Sequence, residues 1–201
     1  MKTTTTRRVS PVGEGNPCWL RWLHRVAAMV VMFVGLVAPQ GAWADLRTMV
    51  IGDVNYYVLN NADDWYTFSK LVDQSGGKQV NAIMNSNITV NTSIALADGV
   101  YYTGTFNGNG HTLNVNISEP GKDDIGPFAK VKDGATFRDL RVTGSVSGKN
   151  YIGGLIGRVI YSGHPTVRLD RVWVSANVTA SDAWVAGIIG HTSQAITEIT
   201  D

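Results

Sequence analysis

Two aromatic residues, Tyr151 and Trp184, open two similar stretches, "YIGGLIG" (Tyr151–Gly157) and "WVAGIIG" (Trp184–Gly190). Placed one above the other, such rings form a face able to lie on a sugar ring; the plainer reading is that they pack on each other at an edge. The glycines of the same stretches, Gly153, Gly154, Gly157, Gly187 and Gly190, raise the question of a phosphate loop. That chemistry needs G-x-G-x-x-G opening a helix or a terminal Gly-Lys-Ser/Thr, whereas the chain continues as Arg158-Val159 and His191-Thr192. The favoured role of these glycines is structural, at a tight corner where a side chain would strike the neighbouring strand and where φ > 0 is needed.

Other reactive residue types do not assemble into a recognisable set. His111, His164 and His191 lie far apart in sequence and lack Glu or Cys at metal spacing, so zinc is not expected. Asp123-Asp124 offers either a calcium site or the acids of a polysaccharide lyase. Calcium takes roughly six to eight oxygens and two adjacent acids supply too few, so a hydrated loop is expected there. No Ser/His/Asp triad is readable from scattered residues. Cys18 is the only cysteine and precedes an apolar leader segment, which leaves the remainder of the chain without disulfide or thiolate chemistry. Four N-x-[ST] sequons, at Asn87, Asn91, Asn116 and Asn177, are about what this composition yields by chance. No cofactor is expected, and the balance of readings is against an enzyme.

The elements that must hold these residues come from a repeat. "TLNVNI" aligns with "DLRVTG" so that Leu113 meets Leu140 and Val115 meets Val142, an offset of 27 that also carries Ile125-Gly126-Pro127-Phe128 onto Ile152-Gly153-Gly154-Leu155. Leu140, Val142 and Val146 then meet Val172, Val174 and Val178 at an offset of 32, and Ile152, Gly154 and Gly157 meet Val185, Gly187 and Gly190 at 33. Three units result, beginning near Gly110, Phe137 and Leu169. Inside a unit, Val172, Val174, Ala176 and Val178 alternate with Arg171, Trp173, Ser175 and Asn177, the period of a half-buried strand. No unit can bury its apolar face alone, so units must stack. The predicted fold is all-β, a right-handed parallel β-helix (β-solenoid) of about three coils.

"YIGGLIG" and "WVAGIIG" resemble the GLUG motif of bacterial secreted and surface proteins. "YYTGTFNGNGHTLNV" (Tyr101–Val115) is similar to the segment that opens such repeat regions, and "NADDWYTFSKLV" (Asn61–Val72) to the short helix before it. The resemblance covers most of residues 55–190. It implies a β-helical, adhesin-like region that binds a glycan or a host surface protein, or the non-catalytic amino-terminal part of an immunoglobulin A-cleaving metalloprotease. The zinc motif of that peptidase, H-E-x-x-H, is absent from this sequence. The alternatives are a β-helical carbohydrate-active enzyme of lyase or hydrolase type and an inert surface spacer.

The helix has its own signals. Asn61 can cap it with Asp64 in the first turn, and Trp65, Phe68 and Leu71/Val72 form one apolar stripe. It is expected to cap the open end of the solenoid, where bare strand edges would recruit other chains. At the other end "TEITD" supplies no polar cap, so further repeats or self-association at the carboxyl-terminal edge are expected.

Charge and hydropathy divide the chain once more. Residues 1–44 carry five Lys/Arg and one Glu, leaving twelve Lys/Arg against fifteen Asp/Glu in residues 45–201, so a nucleic-acid partner is not expected. The basic part precedes a thirteen-residue apolar run, Val26–Ala38, followed by Ala42-Trp43-Ala44. These are the parts of a secretory signal peptide cleaved between Ala44 and Asp45. As a helix the run reaches about 20 Å, short of a bilayer core of ~30 Å. The expected organisation is a signal peptide (1–44), a strand and capping-helix region (45–109) and the repeats (110–201), in a protein exported to the surface or medium.

The offset of 32 also sets Arg138 against Asp170 and Asp139 against Arg171, two opposite-charge pairs that would fix strand register, with His111 and Thr112 as their equivalents in the first unit.

Overall fold

A computed structural model describes residues 46–76, 79–160, 163, 166–192 and 196–200; the leader, the Ala44–Asp45 bond and His164 lie outside the described residues. In chain order the elements are β1 (Thr48–Ile51), β2 (Val54–Leu59), α1 (Ala62–Gln74), β3 (Ala82–Met84), β4 (Ile88–Val90), β5 (Thr105–Asn107), β6 (Thr112–Ser118) and β7 (Phe128–Val131). They continue with β8 (Thr136–Gly148), β9 (Ile152–Gly153), β10 (Ile156–Val159), β11 (Thr166–Val174), β12 (Asn177–Ala180), β13 (Val185–Ala186), β14 (Ile189–Thr192) and β15 (Ile196–Thr200). The protein is mostly β, and among the described residues every strand pairing except β1 with β2 is parallel.

Alternation fixes which face goes inside. β6 buries Leu113, Val115 and Ile117 and turns Asn114, Asn116 and Ser118 outward, and β8 buries Phe137, Leu140, Val142 and Val146. The long sheet runs β1-β2-β3-β5-β8-β11-β15, with β6 and β12 also on β8 and β4 on β6. A second sheet is β14-β10-β7, and a third pairs β13 with β9 and reaches Ile125 through its bridge to Ile152. From β5 onward the chain passes through the long, third and second sheets in that order three times: β5, β6, Ile125, β7; then β8, β9, β10; then β11, β12, β13, β14. The parallel pairing also extends upstream of residue 110, because β3 pairs with β5 and β5 with β8.

Register agrees with the alignment in the later passes and departs from it in the first. Val172 faces Leu140, Val174 faces Val142 and Val178 faces Val146; Val185 faces Ile152 and Ile189 faces Ile156. Leu113, by contrast, faces Val142 rather than Leu140, and Val115 faces Gly144, at a separation of 29 residues instead of 27. Corner length causes the shift. The path from Asn107 to Thr112 holds two more residues than the path from Arg138 to Arg141 that it stacks on. Ile125 does face Ile152, while Phe128 pairs with Ile156 and not with Leu155.

One of the two expected charge pairs forms. Arg171 Nε lies 2.7 Å from Asp139 Oδ1, but the same guanidinium takes Asp170 Oδ1 at 2.7 Å through Nη1. Arg138 instead donates to the Tyr56 hydroxyl at 3.4 Å. The first-pass partner of Arg138 is Asn107 rather than His111, and Thr112 faces Arg141.

The core is a ring cluster closed by the helix. Phe128 lies 4.7 Å from Phe137, 4.9 Å from Tyr102 and 5.1 Å from Phe106 between centroids, mostly tilted or edge-on. α1 buries Trp65, Phe68 and Val72, with Trp65 edge-on to Phe106 and Phe128 and its indole N–H donating to the Thr92 carbonyl at 2.9 Å. Asn61 caps as expected, its Oδ1 accepting from the Asp64 N–H at 3.0 Å; the return bond to Asp64 Oδ2 comes from the Asn60 N–H, at 2.8 Å. The helix thus covers the apolar interior, and the edge strand of the long sheet is β1, with Val50 68% exposed. Burial thins out in the last pass, where Val185 is 52% exposed and its partner Ile152 is fully buried. No described helix is long and apolar enough to cross a membrane.

Candidate functional site

The strands of the third sheet are each entered through a residue in left-handed backbone: Asp124 (φ 61°), Tyr151 (φ 59°) and Trp184 (φ 66°). These corners stack, since the Ile125 N–H donates to the Tyr151 carbonyl at 3.2 Å and the Ile152 N–H to the Trp184 carbonyl at 2.9 Å. Positive φ was expected of the glycines that follow, yet none of Gly153, Gly154, Gly157, Gly187 and Gly190 has it. Their role is clearance. A Cβ on Gly153 would collide with the Ile156 carbonyl oxygen, one on Gly154 with the Gly187 carbonyl, one on Gly157 with Asp124 and Ala129, and one on Gly190 with the Tyr151–Ile152 backbone. Gly187 has open space instead. The corner turns at the aromatic or acidic residue so that the backbone behind it can pack at glycine distance.

Beside this column runs a second. Parallel pairing of β7, β10 and β14 puts Lys130 opposite Arg158 and Arg158 opposite His191. The two columns interlock. Arg158 Nη2 donates to Asp124 Oδ2 at 2.8 Å, and its guanidinium lies 5.2 Å from the Tyr151 ring centre. His191 stands edge-on to Tyr151 at 4.9 Å and to Trp184 at 5.3 Å. Tyr151 and Trp184 stack at 6.3 Å with 29° between ring planes, and Trp184 remains 59% exposed. The two readings of this pair are therefore compatible: the rings support each other, and the outer one still offers a face to solvent.

The adjacent acids separate. Asp123 is exposed and accepts from the Asn150 amide at 3.0 Å, whereas Asp124 is 8% exposed. The hydrated loop expected for both thus holds for Asp123 alone, because the left-handed corner turns Asp124 toward Arg158. Burial raises the Asp124 carboxyl from its ordinary value, against the opposing pull of Arg158. Its Oδ1 has no hydrogen-bond partner. Lys130, also buried, donates through Nζ to the Ala97 and Leu96 carbonyls at 2.8 and 3.3 Å and faces Asp98 at 3.8 Å. Between them is an open hollow of about 470 Å³, rimmed also by Lys122 and Asp123.

The two described histidines are not brought together: His111 sits at the β5–β6 corner and His191 on β14 of the second sheet. Among the described residues no three His, Cys, Asp or Glu side chains are placed to share a metal ion. Lys130 and Arg158 are the site residues that sequence reasoning passed over, and His191 was weighed there only as a zinc ligand. Arg158 and His191 each follow the final glycine of their stretch, so the offset of 33 already aligned them.

No family model matches the chain, and no curated protein or solved structure matches it.

Proposed function

We propose that this is a secreted or cell-surface binding protein of the GLUG-motif kind, a right-handed parallel β-helix that takes a glycan on the Tyr151–Trp184 edge. Repeated passage through three sheets in one order, with parallel pairing at recurring registers, supports the β-helix. The hand follows from the near-universal right-handedness of parallel crossovers. The leader supports export: the exported chain should begin at Asp45 by amino-terminal sequencing.

The observation that carries the glycan reading is the Trp184 ring, 59% exposed and backed by Tyr151 and His191. Indole left in water at an ordered, ring-supported position costs hydration free energy that stacking on a sugar face recovers. The test is a panel of immobilised glycans and polysaccharides offered to the protein and to Trp184→Ala. Binding that the substitution abolishes supports the reading, and equal binding by both overturns it. The enzyme reading has one observation in its favour, the buried Asp124 carboxyl, raised from its ordinary value by burial, beside an open hollow. Release of reducing ends or unsaturated products from the same panel would establish that reading instead.

Exposed Val185 and Ile199 at the last strands support self-association at this edge, read by sedimentation at rising concentration.

A further inference from the structure

The outward face of the long sheet changes character along its strands. Where β8 and β11 begin, it carries Arg138, Arg168 and Asp170. Farther on, the same strands turn only hydroxyls and carboxamides outward: Asn116, Ser145 and Asn177 stand in one row across β6, β8 and β12, and Ser118, Ser147 and Thr179 in the next. Asn114 and Thr143 pair in the row before these. Paired side chains bond directly, Thr143 Oγ1 donating to Asn114 Oδ1 at 3.2 Å, Ser145 Oγ to Asn116 Oδ1 at 3.3 Å and Ser147 Oγ to Ser118 Oγ at 3.1 Å. All of these residues are exposed or half-buried. Past the rows, charge returns at Glu119, Lys149 and Asp182. At the other end Trp173 projects from the same face, 57% exposed, with the Arg141 guanidinium 6.0 Å from its ring centre.

Exposed strands ordinarily carry Lys, Glu, Arg and Asp. Rows without them suit a face that a partner dries, because a hydroxyl or carboxamide gives up water at far lower cost than an ion. A charge-poor centre inside a charged rim is also the composition of an interface. Size narrows the partner. The face extends about 20 Å along the strand from Trp173 to Thr179 and about 10 Å across three strands, roughly 200 Å² where a stable protein partner covers about 800 Å². Chemistry narrows it further. Among the described residues the amide hydrogens of Asn116 and the whole carboxamide of Asn177 have no protein partner, and the row hydroxyls keep free lone pairs. Groups that donate and accept side by side complement hydroxyls, which do both, and an exposed indole stacks on the C–H face of a sugar ring. A charged polymer meets no counter-charge across these rows.

We propose that this face is a second glycan-binding surface, which takes an uncharged polysaccharide running along β12, with one ring stacked on Trp173 and the hydroxyls of the following rings exchanging hydrogen bonds with Asn116, Ser145, Asn177 and Thr179. It shares no residue with the Tyr151–Trp184 edge and stands or falls apart from it.

Assigned NMR signals of the unsubstituted chain separate the two surfaces: the Trp173 indole N–H and the Asn116 and Asn177 side-chain amides report this face, and the Trp184 indole N–H reports the edge. The probes are cello-, xylo-, manno- and chito-hexaose. The expected result is that at least one hexasaccharide shifts Trp173 and both amides. Trp173→Ala should weaken that ligand about tenfold, and so should Asn177→Asp, which keeps the side chain's shape but removes its donors and adds a charge. Shifts at Trp184 with Trp173 and the amides silent overturn the inference and leave the edge reading standing; the converse sustains the inference and removes the edge reading. Amide shifts that grow with protein concentration in the absence of sugar assign the face to a second copy and overturn the inference. Tighter, salt-sensitive binding of polygalacturonate than of any neutral hexasaccharide overturns it too, as does silence of the amides across all four series. The shifts are read on the unsubstituted chain, so the outcome holds even if a variant folds poorly.

Discussion

Asp139 and Arg171 occupy the same left-handed corner of neighbouring strands, φ 51° and 52°, and are joined there by a 2.7 Å ion pair. Asn109, φ 53°, holds the corresponding corner below them, its neighbour Gly110 donating to the Asp139 carbonyl at 2.8 Å. Backbone conformation, more than charge, is what this position imposes. Asp139→Asn should therefore leave stability almost unchanged, since Asn tolerates the left-handed region. Asp139→Val should cost about 1–3 kcal/mol in a urea titration. Equal effects of the two would show that the ion pair, and not the corner, is what matters.

The glycines of the two motif stretches should respond unequally to one added methyl. Gly153→Ala and Gly190→Ala place a Cβ into packed backbone and should lose about 1–3 kcal/mol or more. Gly187→Ala meets open space and should stay within about 0.5 kcal/mol of the parent. Thermal melts of the three variants suffice, and a Gly187→Ala as damaging as Gly153→Ala would contradict the clearance role.

Tyr102 is 1% exposed with a hydroxyl that lacks a partner, and burial pushes its phenol well above the usual value near 10. Above that value the unfolded chain loses the phenol proton while the folded chain keeps it. The unfolded state then binds fewer protons, so stability falls as pH rises, by up to about 1.4 kcal/mol per unit from this one group. Tyr102→Phe keeps the ring contacts with Phe128 and Phe137 and should remove that alkaline slope, with neutral-pH stability equal or slightly higher. An unchanged slope between pH 10 and 12 would assign the loss to other groups.

Asn61→Ala removes the acceptor for the Asp64 N–H and should cost about 1 kcal/mol, seen as an earlier urea midpoint. The Asn60 N–H bond to Asp64 is expected to survive, keeping the loss from growing larger.

Much of the strand pattern was legible because it repeats. The period-two run through Val172, Val174 and Val178 and the offsets of 32 and 33 coincide with the observed pairing, since the one residue added between β12 and β13 is already contained in the step from 32 to 33. The first pass was misaligned, as two extra residues in the Asn107–Thr112 corner change the register without altering the look of Leu113 and Val115. β3, β4 and β5 have three residues each, too few to show a period. The β1–β2 hairpin turns at Gly52-Asp53, a local signal that the longer repeat obscured. Of the site, the Tyr151–Trp184 pair was visible from one offset. The column of Lys130, Arg158 and His191 exists only once three strands lie side by side, and the burial of Asp124 only once its corner is stacked.

The corner holding Asp124, Tyr151 and Trp184 keeps one backbone shape under a carboxylate, a phenol and an indole. Turning the chain and displaying chemistry are thus separate duties here, the first done by the backbone and the glycines behind it, the second left to whichever unbranched side chain occupies the corner. A lineage could exchange an acid for a ring at such a place and alter the chemistry of the edge while the scaffold stays as it was. The side chains of this column are in that sense interchangeable, one rung at a time.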